Sequence, residues 1–390
     1  MKKIKFLDCI ELVGSSCPKF DGTKVYVSTG AVDGDHIDFS NVEVVDYESK
    51  PSRANLVANS NDILFAKMQA TTKTLLVNEE LSEHIYSTGF HAIRAKHDII
   101  SDKCLYYLLN SETFLTQKDK NCSGATQKAI TNAGLGKITI TVPSLDQQPL
   151  FVEQLDAICD LIASRELQLH KLDEIVQSRF SEMFGDPVIN ERNWLIDNLG
   201  NYMTTLTDFS ANGSYELLDS NVVMYDEPNY AIMVRTTDLE NGDLTTGVKY
   251  IDENAYKLLS KSMLFGGELI MNKIGSAGKI YIMPHIDKPA SLGRNAFMFR
   301  FNEKLNIKFL FFLLSSEYGT NEIQQYVRGA VTKTITKDST RAIRIIVPPI
   351  ELQNEFAQFV EQIDKLKKDV QEALDKLETL KKSLMQKYFG

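Results

Sequence analysis

The chain has 390 residues, of which 43% are hydrophobic and 24% are charged, and its formal net charge at pH 7 is −9. This length exceeds the roughly 250–300 residues at which one hydrophobic core stops growing, so we predict more than one domain. The composition disfavours disordered, collagen-like and disulfide-stapled proteins. No apolar run approaches the roughly 18 residues of a membrane span and the first residues do not resemble a signal peptide, so we expect a cytoplasmic protein without a membrane partner.

Residues 1–145 predict a first strand-rich domain of mixed α/β type. Short β-branched runs such as KVYVST alternate with Gly, Asn and Asp turn clusters, and a helical stretch is predicted near 101–118. The five cysteines and six histidines show no metal-ligand spacing, so we predict no metal site.

Residues 146–185 predict a long helix, because no glycine or internal proline follows the first turn until Gly185. The segment 146–190 has three basic and nine acidic side chains, a net charge of −6. Apolar residues recur at spacings of three and four, which predicts a coiled-coil seam interrupted by Arg165 and Arg179. The predicted seam residues are Leu155, Ile158, Ile162, Leu169, Leu172 and Val176.

Residues 186–350 predict a second mixed α/β domain, and residues 351–390 a second long helix that follows Pro348-Pro349. Its apolar residues also recur at three and four, which again predicts a coiled-coil seam. The predicted seam residues of this helix are Phe359, Ile363, Leu366, Val370, Leu377 and Leu384.

The two halves of the chain are a duplication. CSGATQKAIT at 122–131 returns as VRGAVTKTIT at 327–336, and the whole stretch 123–185 aligns with 328–390 without a gap. Two equivalent long helices are expected to pair around a pseudo-two-fold axis, which makes them antiparallel. We therefore predict an α+β architecture of two mixed α/β domains separated by two helices that form an antiparallel coiled coil. The alternative is that each helix packs only along its own domain.

A protein with two equivalent domains matches the symmetry of duplex DNA read at two half-sites about one helical turn, roughly 34 Å, apart. The N-terminal part of each domain has diverged much more than the helices. We therefore expect the two half-sites to differ, so that the target is bipartite and asymmetric.

The duplicated segments resemble a known family, the specificity (S) subunits of Type I restriction-modification systems. The resemblance is carried by SGATQKAIT and ITVPSLDQQPLF, by RGAVTKTIT and IIVPPIELQNEF, and by MNKIGSAGKIYIMP at 271–284. It implies target-recognition domains at 1–145 and 186–350, with a central spacer helix at 146–185 and a distal one at 351–390. The first domain departs from the pattern, because it has AKMQATTKTLLV where the second has Gly275 and Gly278.

The resemblance also implies partners and cofactors. The chain would bind double-stranded DNA, two methyltransferase (modification) subunits and restriction/translocase subunits. It would carry no catalytic residue and no cofactor, while S-adenosylmethionine, ATP and Mg²⁺ would bind to the partner subunits.

Polar and basic residues in the duplicated loops and beside the glycines suit phosphate oxygens or base edges. The segment 328–344 has five basic residues and one acidic residue. The predicted DNA-binding residues are Lys67, Lys73, Thr126, Gln127, Lys128, Arg235, Asn272, Lys273, Ser276, Lys279, Arg294, Thr332, Lys333, Thr334 and Arg341. The competing interpretation is that these residues form strand entries, turns and surface ion pairs.

Two other functional classes remain open at this point. The predicted two-fold arrangement of two domains and two paired helices would also suit a protein scaffold without DNA specificity. The tripeptide ESK at 48–50 matches the E-x-K of some nucleases, although such tripeptides arise often by chance.

Overall fold

The computed structural model describes residues 2–390 and divides into two compact units. The first unit contains the residues up to Gln168 together with Val370–Gly390, and the second contains Leu169–Asp369. Each unit therefore includes a strand-rich part and a portion of both long helices. Within residues 2–390, no helix is both long enough and apolar enough to cross a membrane.

The first unit is built on a four-stranded and a five-stranded sheet, with strand orders β10-β9-β12-β2 and β3-β8-β11-β4-β7. Its strands are β1 (Lys2–Lys5), β2 (Ile10–Val13), β3 (Ser15–Ser16), β4 (Thr23–Val27), β5 (Val32–Asp33), β6 (His36–Ile37), β7 (Glu43–Asp46), β8 (Ala54–Val57), β9 (Ile63–Ala66), β10 (Thr74–Leu76), β11 (Ile85–Ser87), β12 (Phe90–Ala95) and β13 (Thr139–Val142). Its helices are α1 (Asp102–Leu109), α2 (Glu112–Lys120), α3 (Asn132–Leu135) and the first part of α4 (Gln148–Phe184).

The second unit is built on two four-stranded sheets, with strand orders β15-β22-β19-β20 and β17-β16-β21-β18. Its strands are β14 (Leu195–Asn198), β15 (Met203–Asp208), β16 (Ala231–Val234), β17 (Lys249–Ile251), β18 (Met263–Leu264), β19 (Leu269–Asn272), β20 (Ile280–Ile282), β21 (Ala290–Leu292), β22 (Ala296–Phe301) and β23 (Arg344–Val347). Its helices are α5 (Tyr215–Asn221), α6 (Thr236–Glu240), α7 (Glu253–Leu258), α8 (Ile307–Ser315), α9 (Glu317–Gln324), α10 (Lys337–Arg341) and the first part of α11 (Ile350–Phe389).

The strand pairings repeat the duplication. In the first unit β9 pairs antiparallel with β12, and β4 pairs parallel with β11. In the second unit β19 pairs antiparallel with β22, and β16 pairs parallel with β21. The duplication therefore extends to domains whose sequences have diverged.

The long helices run antiparallel, as the contacts inside each unit require. In the first unit, the ring of Phe151 near the start of α4 lies 4.4 Å from Tyr388 and 5.0 Å from Phe389 at the end of α11, between ring centroids. In the second unit, Phe356 near the start of α11 lies 5.6 Å from Phe184 at the end of α4. The predicted fold class is therefore confirmed.

A buried glutamine fixes the start of each long helix. The Gln148 side chain donates to Ile99 O at 2.9 Å and Pro143 O at 3.1 Å, and it accepts from Ser101 N at 2.8 Å. Gln353 donates to Lys304 O and Pro348 O and accepts from Asn306 N, which are the equivalent groups in the second copy of the repeat. The duplicated glutamines are thus explained by three backbone groups that have to be satisfied.

The predicted seam residues of α4 are all buried or half-buried. Leu155 and Ile158 are buried in the first unit, and Leu172 and Val176 in the second, while Ile162 and Leu169 are half-buried. Arg179, predicted to interrupt this seam, donates to Glu355 at 2.9 Å and so connects α4 to α11.

The seam prediction for α11 is wrong at Leu366, whose side chain is 50% exposed. Ile363 and Val370 are buried and Phe359, Leu377 and Leu384 half-buried, but Val360 and Leu374 are buried as well. Spacings of 3-4 and 4-3 give the same 3.5-residue period, and neighbouring apolar residues satisfy both. In this turn of α11 the half-buried residue is Lys367, whose ammonium pairs with Asp173 of α4, and Leu366 is exposed.

We expect Gln148→Ala and Gln353→Ala each to lower the free energy of unfolding by about 1–3 kcal/mol, because buried backbone groups lose their only side-chain partner. Urea unfolding followed by circular dichroism measures this loss. The control Gln154→Ala, an exposed position of α4, should change stability by less than about 0.5 kcal/mol. Equal losses in the control and the two variants would contradict the assigned role.

Candidate nucleic-acid interface

The duplicated loops form the same short hairpin in both units. In the first, Ser123 and Ala129 exchange backbone hydrogen bonds of 2.9 and 3.0 Å. In the second, Arg328 and Thr334 exchange bonds of 2.9 and 2.7 Å. The hairpins occupy matching positions in the two copies of the repeat and present equivalent tips.

A glycine is required in each hairpin. Gly124 has φ +136 and Gly329 has φ +107, a region that L side chains rarely adopt. A Cβ atom would lie 2.3 Å from the Gln127 carbonyl oxygen in the first hairpin and 2.1 Å from that of Thr332 in the second. The glycine thus lets the chain turn tightly beneath an exposed tip.

The tips project polar side chains into solvent. Thr126, Gln127 and Lys128 are exposed in the first hairpin, as are Thr332 and Lys333 in the second. Val331, just before them, is 98% exposed. Thr334 is half-buried at the hairpin base.

Each hairpin is fastened to the segment that leaves the central strand of its sheet. In the first unit, Gln69 N donates to Lys128 O at 3.0 Å and Ile130 N to Lys67 O at 2.8 Å. The second unit repeats this with Gly275 N to Lys333 O at 2.9 Å and Ile335 N to Lys273 O at 3.0 Å. Predicted residues that lie far apart in the sequence are therefore neighbours.

In the first unit, the predicted residues Lys67 and Lys73 have no carboxylate partner among residues 2–390. Lys67 Nζ donates to Thr88 O at 2.8 Å, and Lys73 Nζ donates to Thr29 O at 2.8 Å. Burial lowers the pKa of Lys67. An ammonium with a single neutral acceptor keeps donors for an incoming anion.

The second unit neutralises the equivalent lysine. Asp208, a buried residue of β15, accepts from Lys273 Nζ at 2.8 Å and from Lys337 Nζ at 2.9 Å. Burial raises the pKa of Asp208, but the two lysine hydrogen bonds outweigh it and hold the pKa below its usual range. Lys273 is thus tied to the protein, whereas Lys333 at the hairpin tip stays exposed.

Four other predicted basic residues form ion pairs in the second unit. They are Arg235 with Asp238, Lys279 with Glu240, Arg294 with Asp219, and Arg341 with Asp338. Exposed pairs contribute between zero and about 1 kcal/mol, so a phosphate can displace the partners of Lys279, Arg294 and Arg341.

Arg235 differs, because its guanidinium is committed to the protein. It donates from Nε to both oxygens of the buried Asp238 carboxylate, at 3.1 and 3.0 Å, and from Nη2 to Gly247 O at 2.8 Å. The Asp238 hydrogen bond raises the pKa of Arg235. The residue serves as the N-cap of α6, and nothing in this geometry favours its predicted reading of a base.

The remaining candidates lie in the segment 272–279 of the second unit, which we call the glycine segment because it contains Gly275 and Gly278. Ser276 is exposed, between Gly275 at φ +82 and Gly278 at φ +91. Asn272 is buried, and its Oδ1 atom has no hydrogen-bond partner within the described residues. Ser276 is therefore placed for an external contact, whereas Asn272 would reach one only after a local rearrangement.

The family model for the Type I restriction modification DNA specificity domain matches residues 11–174 and 203–379. The chain belongs to this family. It is the family of the specificity subunits of Type I restriction-modification systems, and the resemblance seen in the sequence is thereby confirmed.

Known members resemble this specificity-family chain over nearly its whole length. The specificity subunit of the Type I restriction enzyme MjaVIII from Methanocaldococcus jannaschii is 23% identical over 345 residues, which cover 86% of this chain and 80% of that subunit. A chain from a structure on complex assembly and conformational transition of the type I R-M system has a TM-score of 0.59 and 21% identity, covering 99% of this chain and 97% of its own. The S subunit from M. genitalium has a TM-score of 0.57 and 12% identity, with 100% and 96% covered. These structures share its fold.

Two residues that lie close to the hairpins, Asp208 and His91, were not predicted from the sequence. Asp208 lies far along the sequence from both of its lysine partners, and no local pattern indicates such a pairing. His91 lies buried on β12, with Nε2 3.2 Å from Ile130 O. Burial, followed by the charge of Lys67, lowers the pKa of His91 to about 4.

We expect His91 to make this specificity-family chain acid-sensitive. The folded state holds the imidazole neutral down to a pKa of about 4, while the unfolded chain protonates near 6.5. The stabilising contribution of the neutral His91 side chain is therefore complete above pH 6.5. As the pH falls toward 4, the free energy of unfolding decreases by up to about 3 kcal/mol. His91→Phe, which introduces the residue found at position 297 in the second unit, should remove this dependence in urea unfolding between pH 7 and 4.

The exposed His36 supplies the matched control. His36→Gln should keep the acid sensitivity of the wild-type chain. An unchanged pH profile in His91→Phe would show that another group is responsible.

Proposed function

We propose that this chain is a non-catalytic specificity subunit that directs Type I methyltransferase and restriction subunits to an asymmetric bipartite DNA target. The observation that carries the proposal is the repeated hairpin. Each unit presents the same exposed tip, bound by the same pair of backbone hydrogen bonds to the segment that leaves its central strand. Two equivalent polar tips in a DNA-specificity family suit two half-sites.

The asymmetry of the target is supported by the chemistry beside each hairpin. The first unit offers Lys67 and Lys73, both bound only to carbonyl oxygens. The second offers a glycine segment, with Lys273 held by Asp208. Different groups beside equivalent tips should contact different base sequences.

Partner docking is proposed for the exposed faces of the long helices. The acidic segment 146–190 should repel DNA and favours protein partners. Exposed apolar side chains along these helices are available to them: Leu161, Leu167, Ile175, Leu366 and Leu380. We propose two methyltransferase subunits there, with restriction/translocase subunits joining the complex, and we assign S-adenosylmethionine, ATP and Mg²⁺ to these partners.

DNA binding by the assembled complex should weaken about three- to tenfold when either Lys128 or Lys333 is changed to alanine, because one phosphate contact is lost. The slope of log K against log salt concentration should fall by about 1 in each variant. Fluorescence anisotropy with a duplex that contains the target sequence, selected from a random library, measures both. The control Lys257→Ala, an exposed residue of α7, should leave them unchanged.

The same assay separates the competing functions. Binding indifferent to sequence and salt would favour the scaffold over the specificity subunit. Metal-dependent cleavage by the chain alone would favour the nuclease.

We expect a fragment of residues 1–185 to self-associate through α4. In the first unit Phe151 packs on Phe389, and in the second unit Phe356 packs on Phe184, so Phe184 of a second copy can replace Phe389. Sedimentation should give a dimer that binds a symmetric repeat of the first half-site. Phe184→Ala should shift the fragment toward monomer, whereas a monomeric parent fragment would refute the exchange of equivalent helices.

A further inference from the structure

Lys118 is a buried lysine at the C-terminal end of α2, with a side chain only 2% exposed. Its ammonium donates to Met68 O at 3.1 Å and to Thr71 O at 2.6 Å, and Thr71 Oγ1 lies 3.5 Å away. These acceptors belong to the segment 67–73 that joins β9 to β10 and also contains Lys67 and Lys73. Burying an ammonium is costly unless its donors are satisfied, so the lysine holds this segment against α2.

Asp119, the next residue of α2, holds the middle of the same segment. Its carboxylate accepts from Ala70 N, 3.1 Å from each oxygen, and its carbonyl accepts from the Gln69 side chain at 3.4 Å. Ala70 has φ +56, a left-handed conformation unfavourable for alanine. The strained turn is thus held on both sides by two neighbouring helix residues.

In the second unit, the equivalent helix position holds the equivalent segment with an apolar side chain in place of a lysine. Ile323 of α9 is the counterpart of Lys118 in the second copy of the repeat and is buried. Its Cγ2 atom lies only 2.4 Å from the position of a Cβ on Gly278, so the glycine permits direct contact. The neighbouring Gln324 side chain donates to Ala277 O at 3.5 Å.

This comparison shows that packing alone does not require a charge at position 118. An apolar residue at the equivalent position packs against a glycine-containing segment. The first segment, MQATT at 68–72, has no glycine, and its Met68 and Thr71 carbonyl oxygens accept from Lys118 of the helix. A cation with several donors matches that arrangement, whereas isoleucine would leave Thr71 O without its donor and Met68 O with only the Thr71 hydroxyl.

We infer that Lys118 is a positioning residue that fixes the segment 67–73 and thereby determines what the first unit reads in DNA. The inference rests on the proposed function, because it takes this segment as a DNA contact. Lys118 acts through Met68 and Thr71 and does not touch DNA itself.

The test compares Lys118→Met with Lys120→Met in the full chain assembled with its partner subunits. Lys120 belongs to the same helix turn and is exposed. Hydrogen–deuterium exchange should accelerate at least tenfold for amides 68–73 in Lys118→Met, with amides 274–279 unchanged as an internal standard. Lys120→Met should match the wild type in both segments.

Target selection from a random duplex library supplies the second readout. Lys118→Met should degrade or lose the preference at the first half-site and keep the second half-site intact, which a general loss of stability would not do. Asp119→Asn is a milder variant that should change the same half-site if Lys118→Met fails to fold. Unchanged exchange at 68–73 would overturn the inference.

Two further outcomes separate this inference from the proposed function. Faster exchange at 68–73 with an intact first half-site would overturn the reading role of the segment, while a split target for the wild-type complex would still uphold the proposed function. A wild-type complex that selects no split target would refute the proposed function and the reading role together.

Discussion

The contact between a phenylalanine that ends one long helix and a phenylalanine that begins the other is the constraint on which both units depend. Phe389 meets Phe151 in the first unit, and Phe184 meets Phe356 in the second. All four rings are fully buried within clusters that also contain sheet and short-helix residues. Each hydrophobic core includes a ring from the other half of the chain: Phe389, at the end of α11, packs in the first unit, and Phe184, at the end of α4, packs in the second.

The two copies of the repeat share the hydrogen bonds to buried backbone groups more strictly than they share the chemistry of the side chains beside the hairpins. Gln148 and Gln353 serve equivalent backbone groups, and both hairpins close with the same hydrogen bonds. Beside these hairpins the chemistry diverges: Lys67 binds one carbonyl oxygen, whereas Lys273 shares Asp208 with a second lysine. A buried backbone group that loses its hydrogen-bond partner costs about 1–3 kcal/mol wherever it occurs, and this cost keeps the backbone hydrogen bonds the same in both units. Side chains that face solvent carry no such cost.

The sequence predicts the parts of this molecule that are governed by local periodicity and repetition. The long helices follow from uninterrupted apolar spacing, and the equivalence of the two loops follows from a repeated glycine-containing motif, although that motif does not predict their hairpin form. The phase of the α11 seam does not, because apolar neighbours such as Phe359 and Val360 satisfy both possible spacings until a partner helix selects one. Asp208 lies too far from its lysines to be paired by pattern, and Lys118 stands in a polar helix where a lysine is normally exposed.

The difference between the two segments beside the hairpins bears on how a chain with the proposed function acquires a new target. A hairpin whose glycine has a carbonyl oxygen within 2.3 Å of any added Cβ tolerates little change without losing its turn. The segments beside the hairpins are anchored through one helix position that accepts either a lysine with carbonyl acceptors or an isoleucine with a glycine. Because that position can exchange its chemistry together with the segment it holds, each unit can expose different groups while the hairpin, the sheet and the helix ends stay as they are.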